Sequence, residues 1–344
     1  MLWQHPTNYT YQTHLESGSD KKWSKAFPPI AILNVHTRTL GPNHNNAIEA
    51  RIDDILLPEM EDDAVRIAQP VYPPNPRQWR LCMEEDAINW FHTEISNPVL
   101  ALFTTYPNLL QASHDKPIDL EVSHNETVDI GYSVSLVGQP ANRRHLVIGE
   151  FKRCLITAAQ WQAGRLTGAQ RNFSQELRGR SRPLTWVADF PEPCDNRYAY
   201  KYACPQILSF DGETLLMLQF RAAKVADIKD ANCPVDCWVI PRANVGGTPL
   251  RYALYRFLVQ GFRRCQGCTA NPGLQLNDVT AHRRYFFNGV PVWKINGTET
   301  DRPWGYQRRL HCDSGAFYWA DSSGNALMDD NGAIVWDTLA YWSA

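Results

Sequence analysis

The sequence has no run approaching the roughly 18–20 consecutive apolar residues that a bilayer-spanning helix needs. Its first residues, Met1-Leu2-Trp3-Gln4-His5-Pro6, have neither the basic end nor the apolar stretch of a secretory signal peptide. These absences predict an intracellular protein, cytoplasmic or nuclear, with no membrane partner. A Gly-x-Ser-x-Gly elbow is missing, which excludes the common serine-hydrolase arrangement. A Walker loop is missing too, because Gly246-Gly247-Thr248-Pro249 lacks the lysine. Cys265-Gln266-Gly267-Cys268 has zinc-ligand spacing, and His282 or the pair His311-Cys312 would complete the set. No second Cys-x-x-Cys accompanies it, so a structural zinc is not expected. The 9 cysteines, an odd number scattered along the chain, fit reduced thiols better than a disulfide scaffold.

What is present is globular: 344 residues, 44% apolar, 20% charged and 11% aromatic. A formal charge of −2 argues at first against a nucleic-acid binder. The charges are segregated, however. Residues 47–63 hold seven acids and one arginine, 141–183 nine bases and two acids, 251–310 ten bases and three acids, and 311–344 five acids and no base. The near-zero total is a cancellation between blocks.

Residues 1–76 show many breakers (Pro28-Pro29, Gly41-Pro42, Pro70 to Pro76) and read as an irregular N-terminal arm with a short helix near 47–57 and a strand near Ile30–Val35. Its acidic block is a solvated face or a cover for a basic surface. From Gln78, the spacing of Leu81, Ile88, Phe91 and Ile95 predicts a helix stopped by Asn97-Pro98. Strands are predicted at Ile118–Val122, Thr127–Val137 and His145–Cys154, the last two as a long hairpin. A helix-compatible region follows to about Arg180. Asp211-Gly212 between Gln206–Phe210 and Thr214–Arg221 marks a second hairpin. A strand at Cys237–Ile240 and a helix from Pro249 to Arg264 complete a core of residues 77–265. Residues 266–344 read as a β-rich aromatic unit in which Asn-Gly-x-x-Val-Trp occurs twice, at Asn288–Trp293 and Asn331–Trp336. Its aromatics are the core of a small β unit, or a surface that stacks bases or meets a protein partner.

Two of the middle strands bear acids in apolar surroundings: Asp129 in Val-Asp-Ile-Gly-Tyr, and Glu150 in Leu-Val-Ile-Gly-Glu-Phe-Lys-Arg. Residues two apart on a strand share a face, so Glu150 and Lys152 point together. Such charges are costly to desolvate unless they are paired or hold an ion. Carboxylates on adjacent strands suit hard Mg²⁺, or Mn²⁺, and metal-assisted phosphodiester hydrolysis, with the lysine adding positive charge. A third carboxylate comes from the first helix. Glu84 and Glu85 both fall on its Leu81/Ile88 side, and Glu85 is favoured.

Asp129, then Glu150-Phe151-Lys152, set in a helix–strand–strand–strand–helix–strand order, resemble the PD-(D/E)XK nuclease superfamily. The Gly-Glu-Phe-Lys strand, Gln175-Glu176-Leu177-Arg178-Gly179, and Cys204-Pro205-Gln206 leading to Phe210-Asp211-Gly212 are similar to the nuclease-like domains of filamentous fungal proteins. Val128 stands where many members of the superfamily carry proline. The resemblance covers roughly residues 78–242 and implies a restriction-endonuclease-like α/β core (αβββαβ, a mixed sheet flanked by helices). It implies Asp129, Glu150 and Glu85 as metal ligands, Lys152 as the catalytic lysine, and Gln170 or Gln175 near the substrate backbone. Arg153 and Arg171 belong to the basic stretch that a nucleic acid, DNA or RNA, would meet. The competing reading is a catalytically inactive copy of the fold that binds nucleic acid or a protein, with Glu150 or Asp129 simply ion-paired to Lys152.

Overall fold

The computed structural model describes residues 2, 4, 6–11, 27–36, 61–70, 75–105, 118–125, 128–136, 139–152, 155–179, 199, 202–243, 248–269, 275–276, 279–300, 302–311, 317–329 and 331–337. The helix expected near 47–57 lies outside them. In chain order the first elements are β1 (Tyr9–Tyr11), β2 (Leu33–His36), α1 (Glu61–Ile67), β3 (Trp79–Leu81) and α2 (Glu84–Phe91). A π-turn, His92–Ser96, joins α2 to α3 (Asn97–Thr105). The sheet strands β4 (Ile118–Asn125), β5 (Val128–Leu136) and β6 (Gln139–Phe151) come next. Helices α4 (Ala158–Gln162) and α5 (Gly168–Arg178) precede β7 (Gln206–Phe210), β8 (Thr214–Phe220) and β9 (Val235–Pro241). The long helix α6 (Leu250–Thr269) leads to the C-terminal strands.

The molecule is a mixed α/β protein built on a seven-stranded sheet of order β2-β9-β8-β7-β6-β5-β4. β4, β5 and β6 are antiparallel neighbours, β6 and β7 run parallel, and β7, β8 and β9 are again antiparallel. Both faces of the sheet are covered, which is why its strands read as nearly continuous apolar runs. Val147, Phe151, Leu208, Phe210, Leu215 and Met217 pack against Trp90, Phe91, Phe103, Tyr255 and Phe262 of α2, α3 and α6. Ile148, Ile207, Leu216 and Leu218 face the other way, against Trp161, Phe173 and Leu177 of α4 and α5. Between Ile130 and Leu208 there is room only for Gly149. A Cβ at that position would overlap Ile130 Cγ2 and come within 2.7 Å of Leu208 Cδ1.

The helix expected from Gln78 begins instead at Glu84. Trp79–Leu81 pairs as a strand with Tyr9–Tyr11, and Asp86 Oδ2 accepts the N–H groups of Cys82 and Met83, each at 2.8 Å, to start the helix there. Asn97-Pro98 is not a stop: the helical backbone continues through the π-turn, where the Asn97 N–H bonds His92 O five residues back, and this wider turn takes Pro98 without a break. The region after Cys154 forms two helices rather than one, parted by Gly164 and Gly168 at φ 68° and 51°.

The arm before residue 77 is built into the core. β2 pairs in parallel with β9 at the sheet edge. From α1, Arg66 Nε donates to Tyr255 Oη at 2.8 Å, and Tyr255 Oη donates to Asp63 at 2.5 Å.

Beyond α6 lie β10 (Gln275–Leu276), β11 (Val279–Arg284), β12 (Pro291–Ile295) and β13 (Thr298–Thr300) in one small sheet, and β14 (Gln307–Leu310) with β15 (Phe317–Ala320) in another. Trp293 meets Trp319 edge-on at 5.7 Å, and with Ala281 and Val335 they form this unit's own core. Asp337 is buried between Arg284, at 2.8 Å, and Arg308 Nε. The unit is joined to the core where the Phe286 and Phe287 N–H groups donate to Ala223 and Ala222. Among the described residues, no helix is long and apolar enough to cross a membrane.

Candidate active site

Strand β6 ends at Phe151, and Lys152 is the first residue beyond it. The strand-like backbone still holds there, because the Lys152 N–H donates to Phe210 O at 3.2 Å on parallel β7. Glu150, only 4% exposed, lies opposite Ser209. Near the start of the antiparallel neighbour β5, Asp129 Oδ2 accepts the Phe151 N–H at 2.6 Å, which fixes this carboxylate at the end of β6. Lys152 Nζ donates to Glu150 Oε1 at 2.5 Å and stands 3.7 Å from Glu84 Oε1 at the start of α2. Burial works against the charge on Lys152, but Glu150, Glu84 and Asp129 outweigh it and hold the ammonium's pKa above its ordinary value.

The helix-borne carboxylate at this cluster is therefore Glu84 and not Glu85, which is exposed. The count of i+3 and i+4 from Leu81 fails because Leu81 belongs to a strand. The acidic run Glu84-Glu85-Asp86 was the usable signal, since acids concentrate in a helix's first turn.

Gln170 does not face a substrate. It is 3% exposed, and its Oε1 accepts from Thr157 N at 3.1 Å and Trp161 Nε1 at 2.5 Å, while its Nε2 donates to Leu155 O. Gln175 Nε2 donates to Phe27 O at 3.1 Å. Both amides tie segments of the fold together. Arg153, Arg180 and Arg182 lie outside the described residues. Arg171 and Arg165 are exposed, whereas Arg178 is buried over the Phe220 ring with its Nη1 on backbone carbonyls, so it presents no charge to a ligand.

Asp211, which reads from sequence as a turn acid, has a larger part. Its Oδ1 accepts the N–H groups of Glu213 and Thr214, and its Oδ2 accepts that of Ile156 at 2.9 Å. With Gln170 it anchors residues 155–157, just past Lys152. Burial raises its pKa.

Glu84, Asp129 and Glu150 offer only hard carboxylate oxygens, the donor type that Mg²⁺ or Mn²⁺ takes. The charge of the buried Glu150 is met by Lys152, so the donor set fits a divalent ion by its oxygen type alone. As arranged, the carboxylates surround an ammonium rather than one another. Among the described residues, no group of three or more His, Cys, Asp or Glu is drawn together to hold a metal. Cys268 Sγ is directed at the carbonyls of Tyr285 and Phe286, and His282 is paired with Glu299 at 3.2 Å. Cys312 lies outside the described residues. No family model, curated protein or solved structure matches this chain.

Proposed function

We propose that this protein is a metal-dependent nuclease with a restriction-endonuclease-like core of the PD-(D/E)XK type, hydrolysing phosphodiester bonds in DNA or RNA. The observation that carries the reading is the convergence of Glu84, Asp129, Glu150 and Lys152, from a helix and two antiparallel strands, at the end of β6. The element order supports it: α2, then β4, β5 and β6, then α5 on the opposite face, then β7 parallel to β6.

Glu84, Asp129 and Glu150 would hold Mg²⁺ or Mn²⁺. When bound, such an ion supplies a water of lowered pKa and neutralises charge on the phosphorus oxygens. Asp129, held by the Phe151 N–H, keeps its place without reorganisation. Lys152 would offset the negative charge that grows on a non-bridging oxygen.

A second reading, an inactive copy that binds nucleic acid or a protein, is favoured by the Lys152–Glu150 pair, which satisfies the buried carboxylate without any metal. Cleavage of labelled single- and double-stranded DNA and RNA, in Mg²⁺, Mn²⁺ or EDTA, separates the two. The nuclease reading expects cleavage that EDTA abolishes and that Lys152→Ala and Asp129→Ala each lower by about 10²-fold or more. No cleavage of any substrate, or equal cleavage by the variants, would overturn it.

A further inference from the structure

Lys152 stands where a cation belongs. Its ammonium is 2.5 Å from Glu150 Oε1 and 3.7 Å from Glu84 Oε1, and its charge interacts with Asp129 as well. Glu150 is 4% exposed, so in a metal-free chain its charge needs a partner from the protein itself. We propose that Lys152 is the resident counter-ion of this site, and that a divalent cation enters by displacing the ammonium from Glu150. The inference rests on the metal-dependent reading above and adds a means of regulation to it.

Three features support an exchange over simple addition. One oxygen of Glu150 is taken by Lys152, so an incoming ion competes with the ammonium for that carboxylate. Two cations within a few ångströms repel strongly where water is scarce, and Lys152 is only 14% exposed. The lysine also has somewhere to go. Its stem has four flexible carbons, and Glu84, at 34% exposure, marks a solvent-reachable side toward which the ammonium can swing. The exchange leaves Glu150 neutralised at every stage, by Lys152 before the ion arrives and by the ion afterwards. It also sets a threshold: the site stays closed at low cation concentration, and the empty protein keeps a paired interior.

The full chain, stripped with EDTA, is titrated with Mn²⁺ by calorimetry as wild type, Lys152→Gln and Lys152→Ala, with circular dichroism confirming that each is folded. Displacement predicts that the variants bind Mn²⁺ about tenfold tighter or more, since nothing has to be expelled. It also predicts that metal-free Lys152→Gln melts below the wild type and gains more from Mn²⁺. Should the variants fold poorly, the wild type alone suffices. Acetylation of Lys152 by an amine-reactive reagent, read by peptide mass spectrometry, should be slow in EDTA and several-fold faster in saturating Mg²⁺. Folded variants that bind Mn²⁺ no tighter than the wild type, or acetylation that Mg²⁺ leaves unchanged, would overturn displacement while leaving a cleaving wild type a nuclease. A wild type that never cleaves, beside Lys152 variants that gain Mn²⁺ affinity, would sink the nuclease reading and keep the displacement. Absence of Mn²⁺ binding in all three chains would overturn both.

Discussion

His145 on β6 packs its ring against Tyr202, with centroids 4.9 Å apart. Burial, with help from the nearby charges of Arg143 and Arg264, lowers its pKa from 6.5 to about 4. The folded protein thus keeps this imidazole neutral at pH values where the unfolded chain protonates it. The sign follows directly. Between pH 6.5 and about 4 the unfolded state binds more protons, so stability falls as pH falls, by at most about 1.4 kcal/mol per pH unit. From pH 7 to pH 5 this single group removes about 2 kcal/mol, and below about pH 4 its effect levels off. The perturbation is His145→Phe, which keeps a ring against Tyr202 and removes the titration. Urea denaturation of both proteins at pH 7, 6 and 5 should show the variant gaining on the wild type by about 2 kcal/mol across the range. A stability difference that stays constant with pH would refute the reasoning.

Gly149→Ala forces a methyl group into Ile130 and Leu208. It should lower stability by about 1–3 kcal/mol, seen as a reduced thermal midpoint, and an unchanged midpoint would mean that β5 and β7 yield more easily than their packing suggests. Gln170→Leu strands the Thr157 N–H, the Trp161 indole N–H and the Leu155 carbonyl. A loss of about 3 kcal/mol in urea denaturation is expected, and a loss below 1 kcal/mol would show that water replaces the amide. Asp337→Ala leaves Arg284 and Arg308 buried around a missing carboxylate. That should cost about 3–5 kcal/mol within the C-terminal unit, checked by limited proteolysis, which should release fragments from residues beyond 269 while the core resists.

The strands that form the heart of the sheet were the most legible part of the sequence. Val128–Leu136, Gln206–Phe210 and Thr214–Phe220 carry long apolar stretches bounded by turn residues, and that pattern is imposed by a sheet covered on both faces. Asp129, Glu150 and Lys152 stood out for the same reason, as charges embedded in apolar strands. Glu84 was misjudged because Leu81, Ile88 and Phe91 mimic helical spacing across a boundary set by Asp86, one side chain capping two N–H groups. Gln170 was misjudged because a glutamine's partners in space, here Trp161 and two backbone groups, leave no trace in its neighbours along the chain. The N-terminal arm misled in a related way. Its breakers are real, but β2 takes its order from β9, some two hundred residues away.

That pairing also has a place in time. Asn34 meets Asp236 at a separation of 202 residues along the chain, so during synthesis at about 5–20 residues per second β2 waits ten seconds or more for its partner to emerge. The hairpins of β4 to β6 and of β7 to β8 close over short loops and need no such delay. Of the strands in the seven-stranded sheet, β2 thus waits longest for its neighbour, and it docks along an edge that would otherwise be free to pair with another molecule.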